Sequence, residues 1–327
     1  MNIRARQTIH NTAKSALSKA KEPQKIVLIY ALICCGLSLG ATVISALLND
    51  RIAGTGGLGN IGLRSVLSTG QSVLPLINFI VTACLNLGYH TVMLSITRGF
   101  DASPRTLLSG FRHLGLVLRC LILQVAIYTG AGFLAMYLSS SIFMATPYSA
   151  DFMEVMEPVL SSMTVMDTTI TLDDTTLRAA AETMMPMAWI LAGVSLVILV
   201  PLYYRFRMTD FCLADDPRLG AVHALIKSRK LMRRNCFALF RLDLSLWWFY
   251  AANLLITAVC YGDVLLPMVG IQLPWSNQVC YYLFLVLSLL MQTALFYLGM
   301  NRVYGAYAVT YDILQEEQFQ SELPVSM

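Results

Sequence analysis

The 327-residue chain is 57% hydrophobic and only 13% charged, against about a quarter charged in an ordinary globular domain. Its mean hydropathy of +0.63 comes from apolar runs of the length a helix needs to cross roughly 30 Å of hydrocarbon, which excludes a soluble globular protein. The formal charge of +4 is small but unevenly spread, and that spread sets the expected topology.

The first 25 residues are basic. Ile9, Ala13, Ala16, Leu17 and Ala20 fall at helical spacing beside Arg4, Arg6, Lys14, Lys19 and Lys21, a pattern that predicts an interfacial helix over 1–25. No small-residue cleavage pattern follows the first apolar run, so it reads as a retained span rather than a removable signal. Apolar runs then predict spans at 26–48, 73–97, 114–144, 187–204, 244–266 and 279–300, followed by a C-terminal tail over 303–327. The fold class is all-α: a polytopic bundle of six spans forming one membrane domain over 1–327. The run 114–144 exceeds the roughly 25 residues of an untilted span, so it is expected to tilt or to leave the bilayer near Ser139, Ser140 and Ser141.

Orientation follows from lysine and arginine, which resist translocation. Six basic residues precede the first span, four surround the second loop, nine surround the fourth loop, and Arg302 follows the last span. With the N-terminus inside, 20 lie on the cytoplasmic side against Arg51, Arg64 and Arg178 outside. The expected topology is therefore N-in and C-in. The outer loop 145–186 is acidic, with Asp151, Glu154, Glu157, Asp167, Asp173, Asp174 and Glu182 against Arg178. Asp173 and Asp174 before Thr-Thr-Leu predict a helix start, with Pro186 kinking that helix or marking where it meets the membrane.

Two cytoplasmic loops open alike, Asp101-Ala-Ser-Pro-Arg105 and Ala214-Asp-Asp-Pro-Arg218. Each sets Ser or Asp before a Pro that has no N–H to leave unpaired in a first helical turn. Within the cytoplasmic basic loop 205–243, Pro217–Asn235 reads as one amphipathic helix. Leu219, Val222 and Ile226 form its apolar side and Lys227, Arg229, Lys230, Arg233 and Arg234 crowd its end. With Arg218, these residues offer a docking surface for anionic lipid of the inner leaflet or for a protein partner. Nucleic acid is not expected, because no aromatic stacking platform interleaves with the basic residues.

Polar groups at membrane depth are costly and count as functional candidates. They are His90, Asn86, Gln124, Asn253, Asp263 and Gln292, which either join helices by hydrogen bonds or line a polar cavity. Gly54-Thr-Gly-Gly-Leu-Gly59 matches GxGxxG but lacks the strand–helix context a dinucleotide needs. HExxH, GxSxG and a P-loop lysine are absent, and the eight cysteines show no CxxC spacing and read as small buried hydrophobes. No catalytic residue, cofactor or metal is expected.

Ser228-Arg-Lys-Leu-Met232, followed by Phe237-Ala-Leu-Phe-Arg-Leu-Asp-Leu-Ser245-Leu-Trp, resembles an uncharacterised bacterial integral membrane family, domain of unknown function 975. Gly56-Gly-Leu, Arg98-Gly-Phe and Tyr304-Gly-Ala-Tyr307 extend the resemblance. It implies a multi-helix protein of the bacterial plasma membrane and assigns no activity. Within the string, Arg241 and Asp243 stand where a cytoplasmic helix turns into the fifth span, and a contact there would fix the angle between them. The expected role is a non-enzymatic scaffold, assembly factor or accessory subunit; the alternative is a binder or transporter of a lipid or other lipophilic molecule.

Overall fold

The computed structural model of the chain describes residues 3–54, 61–154, 174–262, 265–266 and 277–322. No strand occurs among them. Five helical stretches are long and apolar enough to cross a membrane: Pro23–Leu48, Ser68–Thr97, Leu114–Met144, Met184–Asp215 and Val279–Gln320. A sixth candidate is the pair Cys236–Ser245 and Trp247–Cys260, bent by 68°.

In chain order the helices are α1 (Ile3–Lys19), α2 (Pro23–Gly54), α3 (Ile61–Thr97), α4 (Ser109–Arg112), α5 (Leu114–Met144), α6 (Asp174–Phe206), α7 (Thr209–Asp215), α8 (Ala221–Met232), α9 (Cys236–Ser245), α10 (Trp247–Cys260), α11 (Asn277–Leu295) and α12 (Asn301–Glu322). They form two compact units, Met1–Leu121 with Arg207–Met327, and Ile122–Phe206.

In the second unit, α6 is described from Asp174, the residues that would precede its expected start lying outside the described ones, and it runs unbroken through Pro186 and Pro201. α5 passes without a break through Ser139–Ser141, where an exit from the bilayer or a tilt is expected. α5 continues to Met144, because Ser139 Oγ donates to the Ala135 carbonyl at 2.7 Å and Ser141 Oγ to that of Tyr137 at 2.9 Å. Hydroxyls satisfied by the preceding turn need no water. Most of the acidic loop, residues 155–173, lies outside the described residues, as do 55–60 of the glycine-rich segment.

The first unit carries the dense core, and that core gathers at one end. On α3, Tyr89, Val92 and Met93 are fully buried, as are Ala306, Ala308 and Tyr311 on α12. Farther from this end the spans turn large apolar side chains outward, such as Leu47, Leu76, Leu254 and Leu290, the pattern of helices whose solvent is lipid. The expected tail over 303–327 is instead helical to Glu322. With α11 and the π-helical turn Phe296–Met300, α12 makes one continuous helix.

The Pro-initiated starts appear as 3-10 turns: Pro104–Leu108, preceded by Ser103, whose side chain makes no capping bond, and Pro217–Leu219, capped by Asp216, whose side chain accepts from the Arg218 N–H at 2.9 Å. The first turn and α4 pack tightly against α3. The single helix expected over Pro217–Asn235 is broken at Gly220, where φ is 76°; only glycine adopts that conformation freely. α8 then buries Ala221, Ala224, Leu225, Ser228, Leu231 and Met232 and turns Val222 and Ile226 outward. Its packed side, carried by Leu225, Leu231 and Met232, is therefore not the Leu219–Val222–Ile226 side that the sequence suggests. α1 likewise buries Ile9 and Ala13 against α12, where Gly305 lets Leu17 and Ala13 approach.

Candidate functional site

At the dense end of the first unit, Arg98 follows the last turn of α3 and reaches two carboxylates. Its Nη1 donates to Asp215 Oδ1 at 2.6 Å, and its Nη2 and Nε donate to Asp312 Oδ1 at 2.8 and 3.2 Å. Asp215 ends α7 and Asp312 lies on α12, so one guanidinium ties three helices. The fork of N–H donors is what allows this, as an ammonium could not hold the same plane. On the other oxygen of Asp215, Tyr311 donates at 3.0 Å and Lys227 of α8 stands 3.7 Å away. Lys227 also lies 5.8 Å from the Tyr311 ring centroid. Burial works against the Arg98 charge, but the Asp312 and Asp215 carboxylates outweigh it and hold its pKa above the ordinary value. A raised cationic pKa keeps the Arg98 charge in place up to the arginine range, so the tie is lost first on the acid side, as the Asp215 and Asp312 carboxylates take up protons.

A second cluster centres on Arg207. Its Nη2 donates to the hydroxyls of Tyr250 and Tyr307, each at 2.8 Å, and its guanidinium carbon lies 4.7 Å from the Tyr307 ring centroid. Tyr307 in turn donates to Asp243, and Tyr250 and Tyr307 are hydrogen-bonded to each other. Asp243 is buried two residues before the break between α9 and α10. The expected contact at this bend is therefore made by Asp243, with α12 as its partner. Arg241 faces elsewhere, exposed and 4.5 Å over the Phe237 ring, because residues two apart on a helix do not share a face.

His90 is buried; its Nδ1 lies 2.6 Å from the Asn86 carbonyl oxygen, and its ring meets Phe211 and Tyr304 edge-on at 4.5 and 5.3 Å. Asn86 accepts from Tyr30 of α2. Asn253 accepts from Gln292 at 3.2 Å, joining α10 to α11, and Asn301 accepts from Tyr89 at 2.9 Å, joining α12 to α3. These amides thus act between helices. Gln124 belongs to the other unit, and Asp263 lies outside the described residues. Of the candidate docking residues, Arg218, Arg229, Lys230, Arg233, Arg234 and Arg241 are all exposed, whereas Lys227 is drawn inward to Asp215.

Sequence reasoning did not single out Arg98, Arg207, Asp215, Tyr307, Tyr311 or Asp312 as site residues. One signal was available: Tyr304, Tyr307 and Tyr311 recur at i, i+3 and i+7 beside Gly305, Ala306 and Ala308, a buried helix face written in small and aromatic residues. Among the described residues no three His, Cys, Asp or Glu side chains come together as a metal site.

Residues 1–305 match the family described as "Protein of unknown function (DUF975)". No curated protein and no solved structure matches the chain.

Proposed function

The chain belongs to the DUF975 family, and we propose that it works as a non-enzymatic scaffold, assembly factor or accessory subunit of the bacterial plasma membrane. In this reading it is a single membrane domain with both termini in the cytoplasm, and its basic face receives a protein partner or anionic lipid. The long apolar helices are compatible with a multi-pass membrane protein. The observation that carries the reading is a division of charge. Arg98, Arg207, Asp215, Asp243 and Asp312 are engaged with one another and with tyrosines, whereas six basic residues from Arg218 to Arg241 stand exposed without an exposed acidic counterpart on α8 or α9. Each such cation near an anionic leaflet contributes about 1 kcal/mol, and a cluster of this kind attracts acidic protein surfaces by the same field.

A carrier of lipophiles through the bundle would need its intramembrane amides open to a passage, and here Asn86, Asn253 and Gln292 are engaged with neighbouring helices. The experiment is extraction into native nanodiscs followed by mass spectrometry. A stoichiometric protein partner, lost when Arg229, Lys230, Arg233 and Arg234 are changed to glutamate, supports the scaffold. A stoichiometric lipophile with no protein, retained in that variant and lost with changes at His90 and the amides, overturns it.

A further inference from the structure

One cleft in the first unit has no place in the scaffold reading. It has a volume of about 640 Å³ and opens between α1, the start of α2 and the π-helical turn before α12, within the size range of small-molecule sites. Lys14 and Arg302 line it, and neither makes an ion pair among the described residues. Its one carboxylate, Glu22, is already held by Lys25 at 2.5 Å, so the cleft is left with net positive charge.

The neutral groups point the same way. Asn301 lines the cleft with its carbonyl oxygen already taken by the Tyr89 hydroxyl, and Gln24 with its own taken by Tyr297 at 3.2 Å. Each amide is left with N–H donors to offer. Two cations and two amide donors around one space suit the acceptor oxygens of a phosphate group. Beside them stands Leu298, 68% exposed, on the apolar side of Arg302 and four residues before it. The polar floor therefore continues into a wall that belongs to the spanning helix, and the space is far larger than a phosphate ion needs.

We propose that this cleft binds the phosphate headgroup of one anionic phospholipid, with the acyl chains leaving the cleft along Leu298. Lys14 and Arg302 supply the charge, Asn301 and Gln24 supply oriented donors, and Gly305 sets the spacing by letting α1 lie close on α12. The site is separate from the exposed cations of α8 and α9 and stands whether or not those bind a partner.

The test uses the full-length protein in phosphatidylcholine nanodiscs containing a minor fraction of phosphatidylglycerol, with native mass spectrometry counting retained lipids. One phosphatidylglycerol is expected to stay on the wild-type protein. The Lys14→Gln/Arg302→Gln variant is expected to lose retention by about 30-fold, from two juxtamembrane charges, while Arg229→Gln/Lys230→Gln keeps it. Both altered side chains of the first variant are exposed, so unchanged thermal unfolding is expected to accompany the loss. Equal retention in wild type and variant overturns the proposal. So does equal retention of phosphatidylcholine, or full displacement of the lipid by millimolar inorganic phosphate, which would make this a site for free phosphate.

Discussion

Gly88 of α3 and Leu107 of the following 3-10 turn meet backbone to backbone: a Cβ added at Gly88 would stand 1.9 Å from the Leu107 carbonyl oxygen. Gly110 repeats the contact one step along, where an added Cβ would stand 2.0 Å from the carbonyl oxygen of Cys84. The two glycines together let the connection from α3 to α5 lie against α3 as part of the core, with Leu107 buried. Gly88→Ala and Gly110→Ala should each destabilise the protein at or above the top of the about 1–3 kcal/mol range for overpacking. Gly36→Ala and Gly40→Ala, where an added Cβ meets nothing within 4 Å, should leave stability unchanged or raise it by up to about 1 kcal/mol. Thermal unfolding in detergent, followed by tryptophan fluorescence, separates the two pairs.

Removing Arg98 leaves Asp215 and Asp312 without the cation they share. Arg98→Ala should cost about 1.5–3 kcal/mol, the range for hydrogen bonds to charged groups, and Arg98→Lys should recover only part of it because one ammonium cannot bond both carboxylates in the same geometry. Denaturant titration of the three proteins checks the order. Equal stability of the alanine variant and the wild type would mean that the tie contributes nothing.

The two tyrosines on Arg207 should not be equivalent. Tyr307 is 3% exposed and both accepts from Arg207 and donates to Asp243, whereas Tyr250 is 37% exposed. Tyr307→Phe leaves a buried carboxylate short of a donor and should lower stability by about 1–3 kcal/mol, with Tyr250→Phe costing less. A reversed order in thermal unfolding would show that Asp243 does not depend on Tyr307.

The Asn253–Gln292 contact has the character of helix glue. A double-mutant cycle with Asn253→Leu and Gln292→Leu should return a coupling of about 0.6 kcal/mol. Asn78 is the opposite case, since its Oδ1 is buried without a hydrogen-bond partner. Asn78→Leu should therefore stabilise the protein, and a lower melting temperature would point to a partner group that the isolated chain lacks.

The proposed orientation is open to a direct check. In a cysteine-free background, Arg233→Cys should react with a membrane-impermeant maleimide only from the cytoplasmic side, and Asp167→Cys only from the outside. Labelling of both from one side would overturn the six-span topology with both termini inside.

Much of the fold was legible because a membrane span is a local statement: some twenty consecutive apolar residues declare themselves without reference to the rest of the chain. The Pro104 and Pro217 starts were legible for the same reason, since ring, cap and first turn are neighbours. The two charged clusters were not. Arg98 finds its carboxylates 117 and 214 positions away, and no pattern near residue 98 announces either. The helix after Asn301 reads as a tail in the sequence because its buried valines, alanines and tyrosines alternate with Arg302, Asp312, Glu316 and Glu317, which break the apolar run. α8 differs for another reason: it carries apolar residues on two sides, and the side that packs is that of Leu225, Leu231 and Met232, not that of Val222 and Ile226.

The helix from Asn277 to Glu322 has no break in its backbone. At 1.5 Å per residue the 42-residue stretch Val279–Gln320 is roughly 60 Å long, about twice the thickness of the hydrocarbon layer. It acts as a mast stepped through the floor of the molecule. The single departure from α geometry along it is the π-helical turn, where Gly299 lies directly under the rings of Trp248 and Phe249. A Cβ at position 299 would stand 2.7 Å from the Trp248 ring, so the seat of α10 on this long helix rests on a residue that has no side chain.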